Sequence, residues 1–151
     1  MKVVEIDEKI IYGITVRTTN MNEMDPGTAK IAATWQKFDN QIEVDYQNGE
    51  RVYGVYYNFE SDVNGEFDLL AGYDKKNHSL KKVTIQAGRY LLFRATAKES
   101  SDLARVQAVI DCWGDIWQCF DTQAAEYKRA YNTDFEHYRN PTEIDIYISI
   151  I

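Results

Sequence analysis

The sequence predicts an α+β protein in which tandem βαββ repeats in a pseudo-twofold arrangement form one large antiparallel sheet, with two main helices and a central cleft. Three observations predict this fold: segments with strand-like alternation, two amphipathic helical segments, and an ordered similarity between the two halves. The alternation is clearest near the C-terminus, where isoleucine occupies positions 144, 146, 148 and 150. This pattern is typical of a strand with one buried face.

The first repeat is expected over about residues 9–73, preceded by a short strand. Asp25 can cap free N–H groups and Pro26 suits a first helical turn, so a helix is predicted to begin here. Apolar residues at positions 31, 35, 38 and 42 form one face of that helix. The predicted elements are strands over 2–6 and 10–19, a polar loop over 20–23, a helix over about 26–40, a polar loop over 43–50, and strands over 52–59 and 66–73 joined by a turn at Asn64-Gly65.

The second repeat is expected over about residues 84–151, after a basic and polar connector over 74–82. A helix is predicted from a cap near Ser100 or Ser101 to about Asp121. Its apolar residues recur at spacings of three and four, which favours core packing for most of them; they are Leu103, Val106, Ile110, Trp113, Trp117 and Phe120. The remaining predicted elements are a strand over 84–96, a strand near 128–131, the segment 135–138, and a final strand after the turn at Asn140-Pro141.

Three short matches between the halves occur in the same order along the chain. Residues 16–19 match 93–96 at an offset of 77, residues 35–38 match 117–120 at 82, and residues 66–68 match 143–145 at 77. Differences in loop length account for the drift. Duplication of one unit is therefore expected, within a single domain over residues 1–151.

Composition excludes several classes of function. A net charge of −7 argues against direct nucleic-acid binding, which depends on clustered Lys and Arg. No apolar run approaches the roughly 20 residues of a membrane span, and the N-terminus lacks the apolar core of a signal peptide. We expect a cytoplasmic protein that neither enters a membrane nor contacts DNA directly.

The two cysteines are not expected to form a disulfide or a metal site. Cys112 and Cys119 are seven residues apart in a predicted helix, so about 10 Å separates their Cα atoms. That distance exceeds the reach of a disulfide, and no histidine lies near either residue at zinc-ligand spacing. We predict core thiols, no metal and no cofactor.

Glu136 is the candidate functional residue. It lies among the aromatic residues Phe135, His137 and Tyr138, and a crevice between two repeats is a common ligand site. In the first half Asn58-Phe59-Glu60 has a similar pattern but less aromatic surroundings. A buried carboxylate without a partner favours a ligand that brings positive charge, and aromatic faces add cation–π attraction. The alternative is an exposed glutamate paired with Arg139 or Lys128.

An ordered set of short motifs resembles the GyrI-like effector-binding domain, found in AraC-type and MerR-type multidrug regulators. In the first half these are Tyr53-Gly54-Val55-Tyr56, Glu60-Ser61-Asp62 and the run from Glu66-Phe67 to Gly72. In the second half they are Ala87-Gly88-Arg89-Tyr90, Trp113-Gly114-Asp115-Ile116-Trp117, Asp134-Phe135-Glu136-His137-Tyr138 and Glu143-Ile144-Asp145-Ile146-Tyr147-Ile148. The resemblance spans essentially all of the chain and implies the same tandem βαββ fold.

The resemblance implies that Glu136 faces a hydrophobic pocket that accepts lipophilic cations. The aromatic residues expected nearest the cleft are Trp113, Trp117, Tyr138, Tyr147, Phe93 and Tyr56, each with core packing as an equal alternative. The chain has no helix-turn-helix segment, which implies a free-standing module, and its final Ile148-Ser149-Ile150 departs from the family's usual proline-containing ending.

Three functions are compatible with these observations. The favoured one is a non-enzymatic binding module for hydrophobic, cationic small molecules, which sequesters them or signals their presence to a regulator. A hydrolase with Glu136 as base is the second, although no nucleophile–base pair or metal spacing supports it. The third is a gyrase-inhibitor-like module that contacts a topoisomerase. An exposed edge over residues 2–6 also suggests a homodimer.

Overall fold

The computed structural model describes residues 1–122 and 125–151 and contains one antiparallel sheet of eight strands within those residues. Three α-helices connect the strands in the same part of the chain. The elements are β1 (Lys2–Ile6), β2 (Lys9–Thr19), α1 (Asn20–Glu23), α2 (Ile31–Gln41), β3 (Val52–Tyr57), β4 (Glu66–Tyr73), β5 (Lys81–Ile85), β6 (Gly88–Thr96), α3 (Asp102–Asp121), β7 (Thr133–Tyr138) and β8 (Glu143–Ser149). The predicted fold class is confirmed.

The strand order shows the pseudo-twofold arrangement directly. It is β1-β6-β8-β7-β3-β4-β2-β5, so the two repeats meet at the antiparallel pair of β7 and β3. Helix α2 packs over β2 and β4, and α3 packs over β6 on the other side of that junction. The central strands therefore lie between two helices.

The duplication is visible in matching ion pairs. Arg17 on β2 pairs with Asp68 and Glu66 on β4, at 3.2 and 3.7 Å. In the other repeat, Arg94 on β6 pairs with Asp145 and Glu143 on β8, at 2.7 and 3.5 Å. Each member is 77 residues from its counterpart, which is the offset of the sequence matches.

The outermost strands are exchanged between the repeats. Strand β1 precedes β2 in the chain but pairs with β6, whereas β5 precedes β6 and pairs with β2. The predicted connector over 74–82 is therefore too long, because β5 begins at Lys81. The single strand predicted over 84–96 is two strands, divided at Gln86 and Ala87, because the chain must cross from one sheet edge to the other.

The sheet curls strongly enough to bury its second face. Strand β5 lies four strands from β7 in the sheet order, yet the Gln86 amide that follows β5 donates to Thr133 Oγ1 on β7 at 3.0 Å. The curl encloses an apolar cluster on the face away from the helices. Its buried members are Ile11, Tyr53, Val55, Leu70, Val83, Ile85, Tyr90 and Phe135.

Helix α2 begins later than predicted, at Ile31. The Asp25 carboxylate instead accepts from the Gly27 amide within a turn. The first amides of the helix region are satisfied by Glu23, whose carboxylate accepts from Lys30 N at 2.9 Å and Ile31 N at 3.1 Å. The Glu23 carboxylate, from the preceding helix, thus caps the N-terminus of α2.

Helix α3 has the predicted cap but not the predicted core face. Ser101 Oγ accepts from Ala104 N at 3.2 Å, as expected for an N-cap. The buried residues of the helix are Cys112 and Ile116, with Ala108, Val109 and Phe120 packed beside them. Leu103, Val106, Ile110 and Trp117 are exposed, so core packing is wrong for four of the six residues in the predicted apolar stripe.

Two other sequence predictions differ from the structure. No regular strand forms at 128–131 within the described residues; Arg129 makes an isolated bridge with Ile150. Strand β3 ends at Tyr57 rather than at 59, because Asn58 adopts a positive φ of 54°. Of the two cysteines, Cys112 is buried as predicted and Cys119 is half-buried, and both are free. No helix in the described ranges is long and apolar enough to cross a membrane.

A buried ion pair fixes the start of β7. Asp134 is fully buried and accepts from Arg129 at 2.6 Å, from Ser149 N at 2.8 Å and from Ser149 Oγ at 3.1 Å. Arg129 is itself only 8% exposed, and its guanidinium lies over the Tyr131 ring. This pair joins the segment after α3 to the last two strands.

Replacing Arg129 with glutamine should destabilise the protein by about 3 kcal/mol, because it leaves the buried Asp134 carboxylate without its cation. The matched control is Arg17→Gln, whose ion pairs are partly exposed and which should cost about 1 kcal/mol or less. Urea denaturation of both variants measures the difference. Equal losses would show that the Arg129 pair contributes no more than a surface pair.

Candidate functional site

Glu136 lies at the centre of the sheet, where the two repeats meet. It is on β7 opposite Gly54 of β3 and Ile146 of β8. Its side chain is 1% exposed. Because side chains alternate along a strand, Glu136 and Tyr138 point toward the helices, while Phe135 and His137 point to the other face.

Three neutral donors hold the Glu136 carboxylate. Oε2 accepts from Tyr56 OH and from Trp113 Nε1, each at 2.8 Å. Oε1 accepts from Tyr138 OH at 2.9 Å. The donors come from β3, α3 and β7, so a single carboxylate connects both repeats and one helix.

The lack of a side chain at Gly54 provides space for the Glu136 carboxylate. A Cβ at position 54 would lie 2.8 Å from Glu136 Oε1 and 2.9 Å from Trp35 Cζ2. Both distances are shorter than ordinary carbon contacts, so any side chain here would displace the carboxylate or the indole. Gly54 is thus required by the close approach of these two groups.

Burial dominates the electrostatics of the site. Desolvation raises the pKa of Glu136 above its ordinary value, and hydrogen bonds from Trp113, Tyr56 and Tyr138 oppose part of that rise. Burial and the nearby carboxylate hold the pKa values of Tyr56 and Tyr138 well above the usual range. Both hydroxyls therefore keep their protons and act as donors at neutral pH.

The register identifies the counterpart of Glu136 in the first repeat. Tyr56 lies opposite Leu69, and Glu136 lies opposite Ile146, which is 77 residues after Leu69. Tyr56 therefore occupies the position equivalent to Glu136, and the two side chains are hydrogen-bonded across the pseudo-axis. The sequence comparison of Glu136 with Glu60 is wrong in register, because Glu60 is an exposed residue whose carboxylate accepts from Glu66 N within the hairpin.

The structure brings three of the six predicted aromatic residues to Glu136, namely Tyr56, Trp113 and Tyr138. Phe93 packs with Phe120 in the cluster under α3, with ring centroids 6.5 Å apart. Trp117 is 37% exposed on α3. Tyr147 points to the opposite face of the sheet and stacks on Phe135 at 4.4 Å.

Trp35 on α2 also lies near Glu136, although its spacing in the sequence predicts only a place on a helix face. Its ring centroid is 5.5 Å from that of Tyr138, and its edge approaches Gly54. In the sequence, Trp35 is distinguished only by the match of residues 35–38 with 117–120. Its approach to Glu136 depends on how α2 crosses the sheet, which sequence spacing does not specify.

An apolar stripe on α3 continues outward from the site. Trp113 lies on the same side of the helix as Val106, Ile110 and Trp117, because residues three and four apart share one side. On this side Trp113 contacts Glu136 through its indole N–H. The exposed residues of the same side are Leu103, Val106, Ile110 and Trp117. They form an exposed apolar wall on the helix that carries Trp113.

The described residues do not assemble a metal site. Among residues 1–122 and 125–151, no group of three His, Cys, Asp or Glu side chains is placed to hold a metal ion. The chemistry of the site is that of one buried carboxylate surrounded by neutral aromatic donors.

Comparison with known proteins identifies the family of this chain. Residues 2–150 match the family of integron-associated effector-binding proteins, Cass2. The chain belongs to this family. An integron cassette protein from the mobile metagenome of Vibrio cholerae is 35% identical, with a TM-score of 0.86 over 99% of this chain and 95% of that one. The resemblance to GyrI-like effector-binding domains is confirmed.

Two more distant structures share the fold. The protein SAV2435, determined bound to tetraphenylphosphonium, is 14% identical, with a TM-score of 0.63 over 99% of this chain and 93% of that one. A bacterial transcription regulation protein from Staphylococcus aureus is 15% identical, with the same TM-score over 99% and 96%. No curated protein matches the chain by sequence. As a member of this effector-binding family, the chain is a small-molecule-binding module.

Gly54→Ala should destabilise the protein by about 1–3 kcal/mol, because the new methyl group overpacks the contact between Glu136 and Trp35. The matched control is Gly114→Ala on α3, where an added Cβ meets nothing within 4 Å. That substitution should stabilise by about 0.5–1 kcal/mol through helix propensity. Denaturant titrations of both variants make the comparison, and a neutral Gly54→Ala would contradict the tight packing.

The stability of wild type relative to Glu136→Gln should fall as pH rises. Because burial raises the pKa of Glu136 in the folded state, folding favours the protonated acid. The stability associated with that proton is present below the ordinary glutamate pKa of about 4.3 and is lost as pH rises through the raised value. Denaturation at a series of pH values measures the difference, and a constant difference would contradict the raised pKa.

Proposed function

We propose that this chain binds lipophilic, positively charged small molecules in the cleft beside Glu136, with the carboxylate recognising the charge. The observation that carries the proposal is the hydrogen bonding of Glu136, which is almost fully buried and accepts from three neutral donors. Within the part of the chain that the structure describes, the negative charge is thus stabilised by neutral hydrogen-bond donors and not by a nearby cation. A cationic ligand would supply the missing charge.

The surrounding groups favour a cation with little hydrogen-bonding capacity of its own. Both carboxylate oxygens already have donors, so a ligand does not need to supply N–H groups. Trp35, Trp113 and Tyr138 present aromatic faces and edges close to the carboxylate. Cation–π attraction with a desolvated ring is worth about 1–2 kcal/mol, which favours diffuse cations carried on apolar groups.

The exposed apolar wall of α3 provides the contact surface for the rest of such a ligand. Val106 and Ile110 are 56% and 57% exposed, which is unusual for two aliphatic residues one turn apart. Covering them with a ligand would add roughly 25 cal/mol for each Å² of apolar surface removed from water. Met21 and Met24 near the end of β2 are also exposed and offer flexible, polarisable side chains.

Access to Glu136 requires movement of the groups that cover it. With 1% of its surface exposed, the carboxylate cannot meet a ligand unless Trp113, Trp35 or Tyr138 changes position. Trp113 is attached to α3 and Trp35 to α2, so ligand binding would be coupled to a shift of a helix or of its side chains. If only a fraction of the molecules is open, the apparent affinity equals the affinity of the open form multiplied by that fraction.

The fold of SAV2435, with tetraphenylphosphonium as its ligand, supports this class of compound by analogy of fold. A non-enzymatic role is the simpler proposal, because three aromatic donors already bond to Glu136 and its side chain is 1% exposed, whereas a general base must meet a water or substrate proton. The cytoplasmic location, a homodimer and a regulator or topoisomerase partner stay predictions of the sequence.

The decisive experiment is a titration of wild type and Glu136→Gln with tetraphenylphosphonium and with tetraphenylborate, which has nearly the same shape and the opposite charge. Wild type should bind the cation saturably and the anion far more weakly. Glu136→Gln should lose at least about ten-fold in affinity for the cation, equivalent to about 1.4 kcal/mol. Tryptophan fluorescence and calorimetry both report the binding.

The matched control for this titration is Glu60→Gln, which removes one exposed carboxylate from the first half of the chain. This variant should bind both ions as wild type does. If Glu136→Gln binds the cation as wild type does, or if wild type binds both ions equally, the proposed role of Glu136 is wrong.

A further inference from the structure

The face of the sheet opposite Glu136 contains a cavity of about 130 Å³. It opens where the turn between β1 and β2 meets β3, β7 and β8. Apolar cavities of about 150 Å³ take up single aromatic rings such as benzene. The cavity therefore has the size of one ring. It is lined by Tyr53, Phe135, His137, Tyr147, Lys9 and Asp7, together with two isoleucines.

Two stacked ring pairs form the walls of this cavity. Tyr53 and His137 are directly opposite each other on β3 and β7, with their rings parallel within 10° and 4.6 Å apart. Phe135 and Tyr147 are opposite each other on β7 and β8, with an interplanar angle of 9° at 4.4 Å. Flat, rigid aromatic walls suit a planar ligand, because little side-chain entropy is lost when it binds.

The polar groups around the cavity are mainly donors. Lys9 Nζ lies 5.3 Å from the Tyr53 ring centroid and 3.9 Å from Asp74, a separation longer than a hydrogen bond. Its side chain is 44% exposed, so the ammonium group can turn toward the cavity it lines. His137 is neutral at pH 7, since burial lowers its pKa to about 4, and it retains one ring N–H donor. Asp7 disfavours a ligand with more than one negative charge.

We propose that this cavity is a second ligand site, for a small aromatic monocarboxylate whose ring packs against the two stacked pairs from the cavity side and whose carboxylate meets Lys9. The site is separate from the cleft at Glu136. Successive residues of β7 point to opposite faces, so Glu136 and its neighbours Phe135 and His137 serve different sides of the sheet.

The chain provides its own probe for this site. It has two histidines, of which His137 lines the cavity and His78 is exposed in the connector before β5. With ¹³C-labelled histidine rings, titration with benzoate should shift the His137 signal saturably and leave the His78 signal unchanged. Benzyl alcohol and benzylammonium, which have similar rings without the negative charge, should bind several-fold more weakly.

Lys9→Gln should weaken benzoate binding about ten-fold, the effect of losing one charge-assisted hydrogen bond. Lys82→Gln is the matched control, because Lys82 is exposed on β5 and points away from Ile85 and the cavity. It should bind benzoate like wild type. Both lysines are exposed, so neither variant should disturb the fold.

Three results would overturn the proposal: an unmoved His137 signal, equal affinity for benzylammonium, or equal losses in the two lysine variants. Glu136→Gln separates the two sites. Benzoate binding should be unchanged in that variant, and its loss would place benzoate in the central cleft instead. Failure of tetraphenylphosphonium to bind wild type would leave the second site unaffected.

Discussion

The central constraint in this molecule is a carboxylate that is buried and has no cationic partner among residues 1–122 and 125–151. Glu136 is held by Tyr56, Trp113 and Tyr138, and these donors come from β3, α3 and β7. The carboxylate therefore fixes how the two repeats meet and how closely α3 approaches the sheet. Transfer of such a charge out of water is costly unless hydrogen bonds compensate for the lost hydration, which explains the three aromatic donors. It also explains why position 54 is glycine, since no side chain would fit between Glu136 and Trp35.

The duplicated architecture makes this site possible through one difference between otherwise similar halves. The Arg17 and Arg94 ion pairs, the exchanged edge strands and the strand registers repeat at related positions. At the pseudo-axis, however, Tyr56 occupies the position equivalent to Glu136. A glutamate at both positions would place two carboxylates together in a buried site, where like charges repel strongly. The tyrosine instead provides a donor, so the asymmetry converts a repulsive contact into a hydrogen bond.

The curled sheet gives the chain two chemically different faces from the same strands. Toward the helices, β7 presents Glu136 and Tyr138, and Trp113 of α3 donates to Glu136. Toward the inside of the curl, it presents Phe135 and His137, which stack against residues of the neighbouring strands. One face is organised around a negative charge and the other has donor groups beside an aromatic cavity. The ligands proposed for the two faces carry opposite charges, and the strand itself separates the two sites.

Much of this protein was determined by local sequence patterns. Alternation over the last strand, the Ser101 cap and the hairpin at Asn64-Gly65 all act over short distances. Together with the 77-residue offset between similar segments, they predicted the α+β duplication. The resemblance to effector-binding domains, together with the acid among aromatics, directed attention to Glu136. Tertiary structure decided the rest. The start of α2 depends on Glu23 seven residues before Lys30, the exchange of β1 and β5 depends on pairing between repeats, and the exposed side of α3 depends on the angle at which the helix meets the sheet. Spacings of three and four identify one side of a helix but not what that side contacts. The position of Trp35 near Tyr138 depends on the angle at which α2 crosses the sheet. The position of Tyr147 on the face opposite Glu136 depends on the register between β7 and β8. Neither could be predicted from spacing along the sequence.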